Sequence, residues 1–431
     1  MRKLLSLLVA MATLAGMQAQ TLEECQQAAV RNYPLIRQMD LIRQTADLTV
    51  QNIQKGWLPQ LSATAQATYQ SDVTAFPGQM QELYRQMGID MKGLKKDQYR
   101  IGIDVQQTLF DGGAISSHKE VARRQADIDE AQNDVSIYQV RKRVNEMFFS
   151  LLLLDEQIRL NHDRQELLSG NEKKLQSMFS KGMAAESDYL SVKAERLNAS
   201  QQLTNLELQR QAVARMLSAF CGIAVGQVQK PAAVSGQAAG MRPELRVIDA
   251  RLRLAEAQEK ALDAALMPRV GVFAQGFYGY PGLNMFEDMM HRQWSFGGIV
   301  GARLTWNIGA LYTRKNDKAK LQLMRQTAEN SREVFLFNNT LEQMQQDESI
   351  SRYRKLMAGD EEIIRLRSQV RKAAESKLQH GIIDVNDLVR EINAENTARV
   401  QQTMHEIEML KEIYDQQFSA GGPYPTVTDG E

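Results

Sequence analysis

Apolar residues along this chain follow two rhythms, helical and alternating, in an order that occurs twice. Thr21 to Arg31 reads as a short helix, stopped at Asn32-Tyr33-Pro34 because proline cannot continue it. The pattern restarts at Leu35, Met39, Ile42, Ala46, Thr49 and Ile53, the step of a coiled-coil seam, and Gly56-Trp57-Leu58-Pro59 closes it. From Leu61 the period drops to two: Leu61, Ala63, Ala65, Ala67 and Tyr69 alternate with polar residues. A loop from Ser71 to Asp97 follows. Tyr99 to Gln106 then returns as a second alternating strand, completing a hairpin with a long tip.

After Leu109-Phe110-Asp111-Gly112-Gly113 the helical period takes over. Ala114 to Ser180 holds no proline and a single glycine, Gly170. As one helix it extends about 100 Å at 1.5 Å per residue, too long for a compact domain. Sevenfold spacing links Ala114, Val121, Ile128 and Val135, then Ile137, Val144, Leu151 and Ile158. Lys181-Gly182-Met183 breaks it, and a second helix from Asp188 runs back to Cys221-Gly222. Such a layout suits an elongated tube.

The second half repeats the first. Pro34 and Pro243 stand 209 apart, and so do Pro59 and Pro268 (243 − 34 and 268 − 59). Val270 to Tyr278 reads as a strand, a glycine-rich loop runs to Phe296, and Val300 to Trp306 returns. A long helix from about Lys315 to Gln379 carries Leu356, Ile363 and Val370. His380-Gly381 breaks it, and a last helix spans Val385 to Phe418. The expected divisions are a signal peptide at 1–20, a first repeat at 21–222, a linker at 223–240, a second repeat at 241–420 and a loose tail at 421–431.

Composition narrows the setting. Lys plus Arg equals Asp plus Glu at 52 each, so no net field draws nucleic acid or an anionic surface. Arg2 and Lys3, the apolar run Leu4 to Leu14 and the small-residue exit near Ala19 read as a secretory signal. Beyond it no apolar run reaches the ~20 residues of a spanning helix, so residence in a membrane would have to be by strands. Four strands cannot close a barrel, and membrane barrels start at about eight. Pooling the strands of three chains gives twelve. In an exported protein Cys25 and Cys221 could pair or stay free.

Several motifs carry a family likeness: Ala28-Ala29-Val30-Arg31-Asn32-Tyr33-Pro34-Leu35, Leu58-Pro59-Gln60-Leu61, and Leu109 to Gly113. So do Gly182 to Leu190 and its partner Gly381 to Leu388. In this order, twice over, they resemble the TolC-like family of outer-membrane efflux proteins. The resemblance implies a mainly α fold with a small β part. Long coiled-coil helices would form an α-helical barrel, and four strands per chain would join a twelve-stranded barrel shared by a homotrimer. It also implies a passive exit duct in the outer membrane, reaching into the periplasm and contacting outer-membrane lipid. The expected partners are a periplasmic membrane-fusion adaptor and an inner-membrane transporter. The competing reading is a periplasmic coiled-coil adaptor or scaffold without channel activity.

Gly182 and Gly381 are expected to free the backbone for the two helix-to-helix turns. Ser187-Asp188 and Asn386-Asp387 are expected to cap the returning helices. The resemblance makes these six residues the periplasmic tips where an adaptor docks. It assigns Asp387 to the pore constriction, where the family often places acidic groups; Arg390, one turn on, departs from that pattern. Asp111-Gly112-Gly113 reads as a turn leaving a strand rather than a metal loop. His118, His162, His291, His380 and His405 lack ligand spacing. No nucleophile, general base or cofactor site is expected, so the chain reads as no enzyme.

Overall fold

A computed structural model of the chain describes residues 19–233 and 240–422. The expected signal peptide lies outside these apart from residues 19 and 20, as do 234–239 of the expected linker and the tail from 423.

The elements follow the two-fold order. The first set is α1 (Leu22–Asn32), α2 (Leu35–Gln54), β1 (Gln60–Tyr69), α3 (Gly78–Gln86), β2 (Asp97–Phe110), α4 (Ala114–Ser180) and α5 (Glu186–Cys221). The second is α6 (Pro243–Ala265), β3 (Arg269–Tyr280), α7 (Met285–His291), β4 (Ser295–Thr305), α8 (Ala310–Gln379) and α9 (Val385–Ser419). Both hairpin tips differ from expectation: each carries a short helix, α3 and α7, where the sequence reads as loop. Neither is long enough to show a period clearly. The helix after the first tip begins at Glu186 rather than Asp188, α8 begins at Ala310 rather than Lys315, and β4 begins at Ser295 within the expected loop.

The chain divides into two compact units. Of the described residues, one holds those up to Asp40, Glu130–Val247 and those from Ser331; the other holds Leu41–Asp129 and Ile248–Asn330.

The helical unit has two cores. In the first, Ile137, Val144 and Leu151 of α4 pack with Leu22, Cys25 and Ala29 of α1, Leu217 and Cys221 of α5, and Ile407 and Leu410 of α9. The α4 stripe is thus satisfied within the chain, with Val144 and Leu151 fully enclosed. Cys25 and Cys221 lie in this core as free thiols; the Cys221 thiol donates to the Cys25 carbonyl at 3.3 Å. The second core lies beside the two tips, where Leu168, Leu175, Val192, Ala374, Leu388 and Ile392 meet. Thr21 starts α1 with a reciprocal capping box, its hydroxyl accepting from Glu24 N at 3.2 Å and Glu24 accepting from Thr21 N at 2.9 Å.

The other unit holds one four-stranded antiparallel sheet in the order β1-β2-β3-β4. The two hairpins are joined through β2 and β3, with Tyr99 opposite Tyr280 and Ile103 opposite Gly276. Strands β1 and β4 are therefore edges. The turn out of β2 needs its glycines: Gly112 sits at φ 69°, and a Cβ there would meet the Met267 Cβ at 2.3 Å. Asp111 anchors the start of α4 by accepting from Gly113 N at 2.9 Å and Ile115 N at 2.6 Å.

Candidate functional site

Three surfaces are candidates for function, and the sheet is the first. Because side chains alternate, the register decides what each face presents. Leu61, Ala63 and Ala65 lie opposite Val105, Ile103 and Ile101. Those in turn lie opposite Ala274, Gly276 and Tyr278, which meet Val300, Gly298 and Phe296. One face is therefore apolar across all four strands, and Phe296 and Val300 stand more than four-fifths exposed on it. The other face carries Ser62, Thr64 and Gln66 beside Asp104, Gly102 and Arg100, with Gln275 and Arg303 further across. Thr64 Oγ1 donates to Asp104 Oδ2 at 3.4 Å. A sheet with a continuous greasy face and two open edges is not stable alone in water.

The second surface is a set of sevenfold apolar stripes left uncovered. Leu356, Ile363 and Val370 of α8 are 43%, 49% and 46% exposed. Leu190 and Leu197 of α5 are similarly open, as are Leu41 and Leu48 of α2 in the other unit. Among the described residues no helix covers these positions.

The third surface is the pair of tips. Gly182 and Gly381 have φ 73° and 70°, the left-handed conformation that ends a helix at least cost. The turns share one hydrogen-bond scheme. Gly182 N donates to Phe179 O and Met183 N to Met178 O, both at 2.9 Å. Gly381 N donates to Leu378 O at 3.0 Å and Ile382 N to Lys377 O at 2.9 Å. Met183 and Ile382 project into solvent just beyond each glycine.

The caps differ from expectation. Asp384, not Asn386-Asp387, caps α9, its carboxylate accepting from Asp387 N at 2.8 Å. Asn386 lies inside the first turn. At the first tip Ala185 holds the cap position and has no side-chain acceptor. Asp188, three residues on, instead accepts from Ala185 N at 3.1 Å, while Ser187 only passes its carbonyl to Ser191 Oγ. The sequence signal for Asp384 was present, since an acid three residues before Asp387 fits a cap–N3 spacing. Asp387 is paired within its own chain: Arg390 donates to its Oδ1 at 2.7 Å, with Arg390 well exposed.

Sequence reasoning missed the charged residues behind the tips. Arg196 donates to Glu172 at 2.6 Å across the first helix pair. Arg371 and Glu395 form the corresponding pair in the second. Glu172 and Arg371 are 199 apart, as are Arg196 and Glu395 and the two tip glycines (371 − 172, 395 − 196, 381 − 182). The same cross-helix ion pair thus occurs in both repeats with its polarity reversed. Glu395 is buried and also accepts from Arg399 at 2.8 Å. Burial works against its charge, but the hydrogen bonds from Arg399 and Arg371 outweigh that and hold its carboxyl below the usual glutamate range. Arg164 lies nearby, donating to Glu195 and, at 2.7 Å, to Asn393 Oδ1.

Comparison with known proteins bears on the fold. Residues 25–222 match the model of the family described as outer membrane efflux protein. The outer-membrane channel OprN shares 16% identity, a TM-score of 0.67, and coverage of 93% of this chain and 90% of its own. VceC of Vibrio cholerae gives 13%, 0.66, 93% and 96%. The CmeC channel of Campylobacter jejuni gives 11%, 0.65, 93% and 86%. The chain therefore shares its fold with these outer-membrane proteins, and its first repeat resembles the outer membrane efflux protein family. OprN and CmeC are themselves described as outer-membrane channels. The structural likeness, at such low identity, shows the fold, and the family match covers 25–222, under half of the chain. No curated protein matches the sequence. Among the described residues no group of three or more His, Cys, Asp or Glu is placed to hold a metal, and no helix is long and apolar enough to cross a membrane.

Proposed function

We propose that this protein is the exit duct of a tripartite efflux or export system. Three copies pool their sheets into a twelve-stranded barrel, each β1 edge closing on a neighbour's β4 edge. The apolar face then meets outer-membrane lipid and the polar face lines the lumen, which satisfies every strand edge as a bilayer requires. The uncovered heptads of α2, α5 and α8 find partners in neighbouring protomers, making the helices staves of a periplasmic barrel. The observation that carries this reading is the uninterrupted apolar face across four strands, bounded by two free edges.

The tips, with Gly182, Ser187, Asp188, Gly381, Asn386 and Asp387, are the docking sites for a membrane-fusion adaptor, through which an inner-membrane transporter is coupled. Met183 and Ile382 supply exposed apolar contacts there. Asp387 and Arg390 line the constriction. Because they form an ion pair, the ring they make carries both signs rather than a net negative charge. Reconstituted into planar bilayers, the protein should give stable, low-conductance openings as a trimer. A water-soluble monomer that never conducts would overturn the proposal.

A further inference from the structure

At the foot of the sheet, where β3 and β4 approach the start of α4, lies a cavity of about 480 Å³. Its walls carry Arg269, Arg303 and His118, with Phe273 as an apolar floor and Gln106 beside it. The one carboxylate on the lining, Asp111, is buried and already accepts the two amides that start α4. Neither arginine meets a carboxylate among the described residues, and both are exposed. The cavity is thus an excess of fixed positive charge beside an aromatic ring.

The ring is seated deliberately. Phe273 lies opposite Gly301 in the register, and a Cβ on that glycine would come within 2.8 Å of the Phe273 ring. Only glycine lets the ring lie flat on the neighbouring strand. The Arg303 guanidinium then stacks over it, 4.9 Å from the ring centre. The same device occurs higher on this face, where Phe277 lies against Gly297 and takes Arg100 at 4.0 Å. A guanidinium held in this way keeps its planar N–H edge free and loses little freedom on binding a carboxylate or sulfonate.

We propose that this cavity, through Arg269 and Arg303, binds an organic anion whose carboxylate or sulfonate is carried on a flat apolar group. The charged end meets the two guanidiniums and the flat group lies along Phe273. The site rests on the channel reading insofar as that reading turns this face to the lumen, where the cavity is a resting point for anionic cargo.

The test titrates purified full-length protein in non-ionic detergent with naphthalenesulfonate and with neutral naphthalenesulfonamide, followed by calorimetry. The sulfonate should bind saturably and the sulfonamide should not compete. Arg303→Gln and Arg269→Gln should each weaken the sulfonate roughly tenfold. Arg303→Lys should recover only part of this, since an ammonium lacks the flat stacking surface. Equal binding of sulfonate and sulfonamide to the unmodified protein overturns the site without recourse to any variant. Sulfonate binding undiminished in both glutamine variants, with their trimers intact, does so as well. A protein that conducts in bilayers yet fails this comparison loses only the site; one that binds the sulfonate but never conducts loses the channel reading instead.

Discussion

Asp384 and Asn386 are two residues apart and have opposite weights. Asp384 accepts a backbone N–H that the first turn of α9 cannot satisfy internally, whereas Asn386 only occupies that turn. Asp384→Ala should cost about 1 kcal/mol, and Asn386→Ala less than about 0.5 kcal/mol, read as shifts in thermal or urea midpoints. Gly381→Ala should also cost about 1 kcal/mol, because its φ of 70° is strained for any residue with a Cβ even though open space surrounds it. The charge on Glu395 adds a pH dependence. A carboxyl whose folded pKa is depressed gives stability present above its unfolded pKa and lost as pH falls through the folded value. The difference in melting temperature between the native protein and Glu395→Gln should be full near neutral pH and shrink as pH falls below the ordinary glutamate value. A difference that is constant with pH would mean the carboxylate charge is not what Arg371 and Arg399 hold.

Among the elements, the four long helices show how one period serves two purposes. Ile137, Val144 and Leu151 of α4 are covered by α1, α5 and α9, while the equivalent spacing in α8 stays open. Leu151→Glu should therefore prevent folding of the single chain. Ile363→Glu should leave helicity by circular dichroism unchanged and abolish the trimer in crosslinking and sedimentation. Trimers that survive Ile363→Glu would show that this stripe is not an interface. The reversed ion pairs offer a second test within elements. Exchanging the charges of Glu172 and Arg196 reproduces the polarity that Arg371 and Glu395 already have. The double exchange should recover most of the stability that either single reversal loses, since each single reversal leaves two like charges in a partly buried contact. The sequence showed these helices by their sevenfold spacing. It could not show which stripe faced inward, because a heptad reads the same whether its partner is in the same chain or another.

For the whole molecule, the decisive property is incompleteness. One sheet with an apolar face and two free edges, and helices with uncovered seams, leave apolar surface that only a further partner can cover. Assembly into the membrane should bury the Phe296 and Val300 face. Val300→Lys should accordingly impair outer-membrane insertion, while a change on the opposite face such as Gln275→Asn should not. Fractionation of expressing cells, with the trimer followed on gels, distinguishes the two. The buried thiols belong at this scale too, since Cys25 in α1 meets Cys221 at the far end of α5. Both should resist alkylation in the assembled protein and react on unfolding.

The chain order of strand and helix, the internal repeat and the glycine turns at 182 and 381 were fixed by local chemistry, and the sequence determined them alone. Alternation, sevenfold spacing and the freedom of glycine act over a few residues and need no partner. Tertiary structure decided the rest. It joined the two hairpins through β2 and β3 and left Cys25 and Cys221 as thiols. It also set Phe273 on Gly301 with Arg303 above it. Each of these depends on which residue of another element stands opposite, a choice made by register and packing, across more than a hundred residues for the β2–β3 pairing and the two thiols, and no local pattern encodes it.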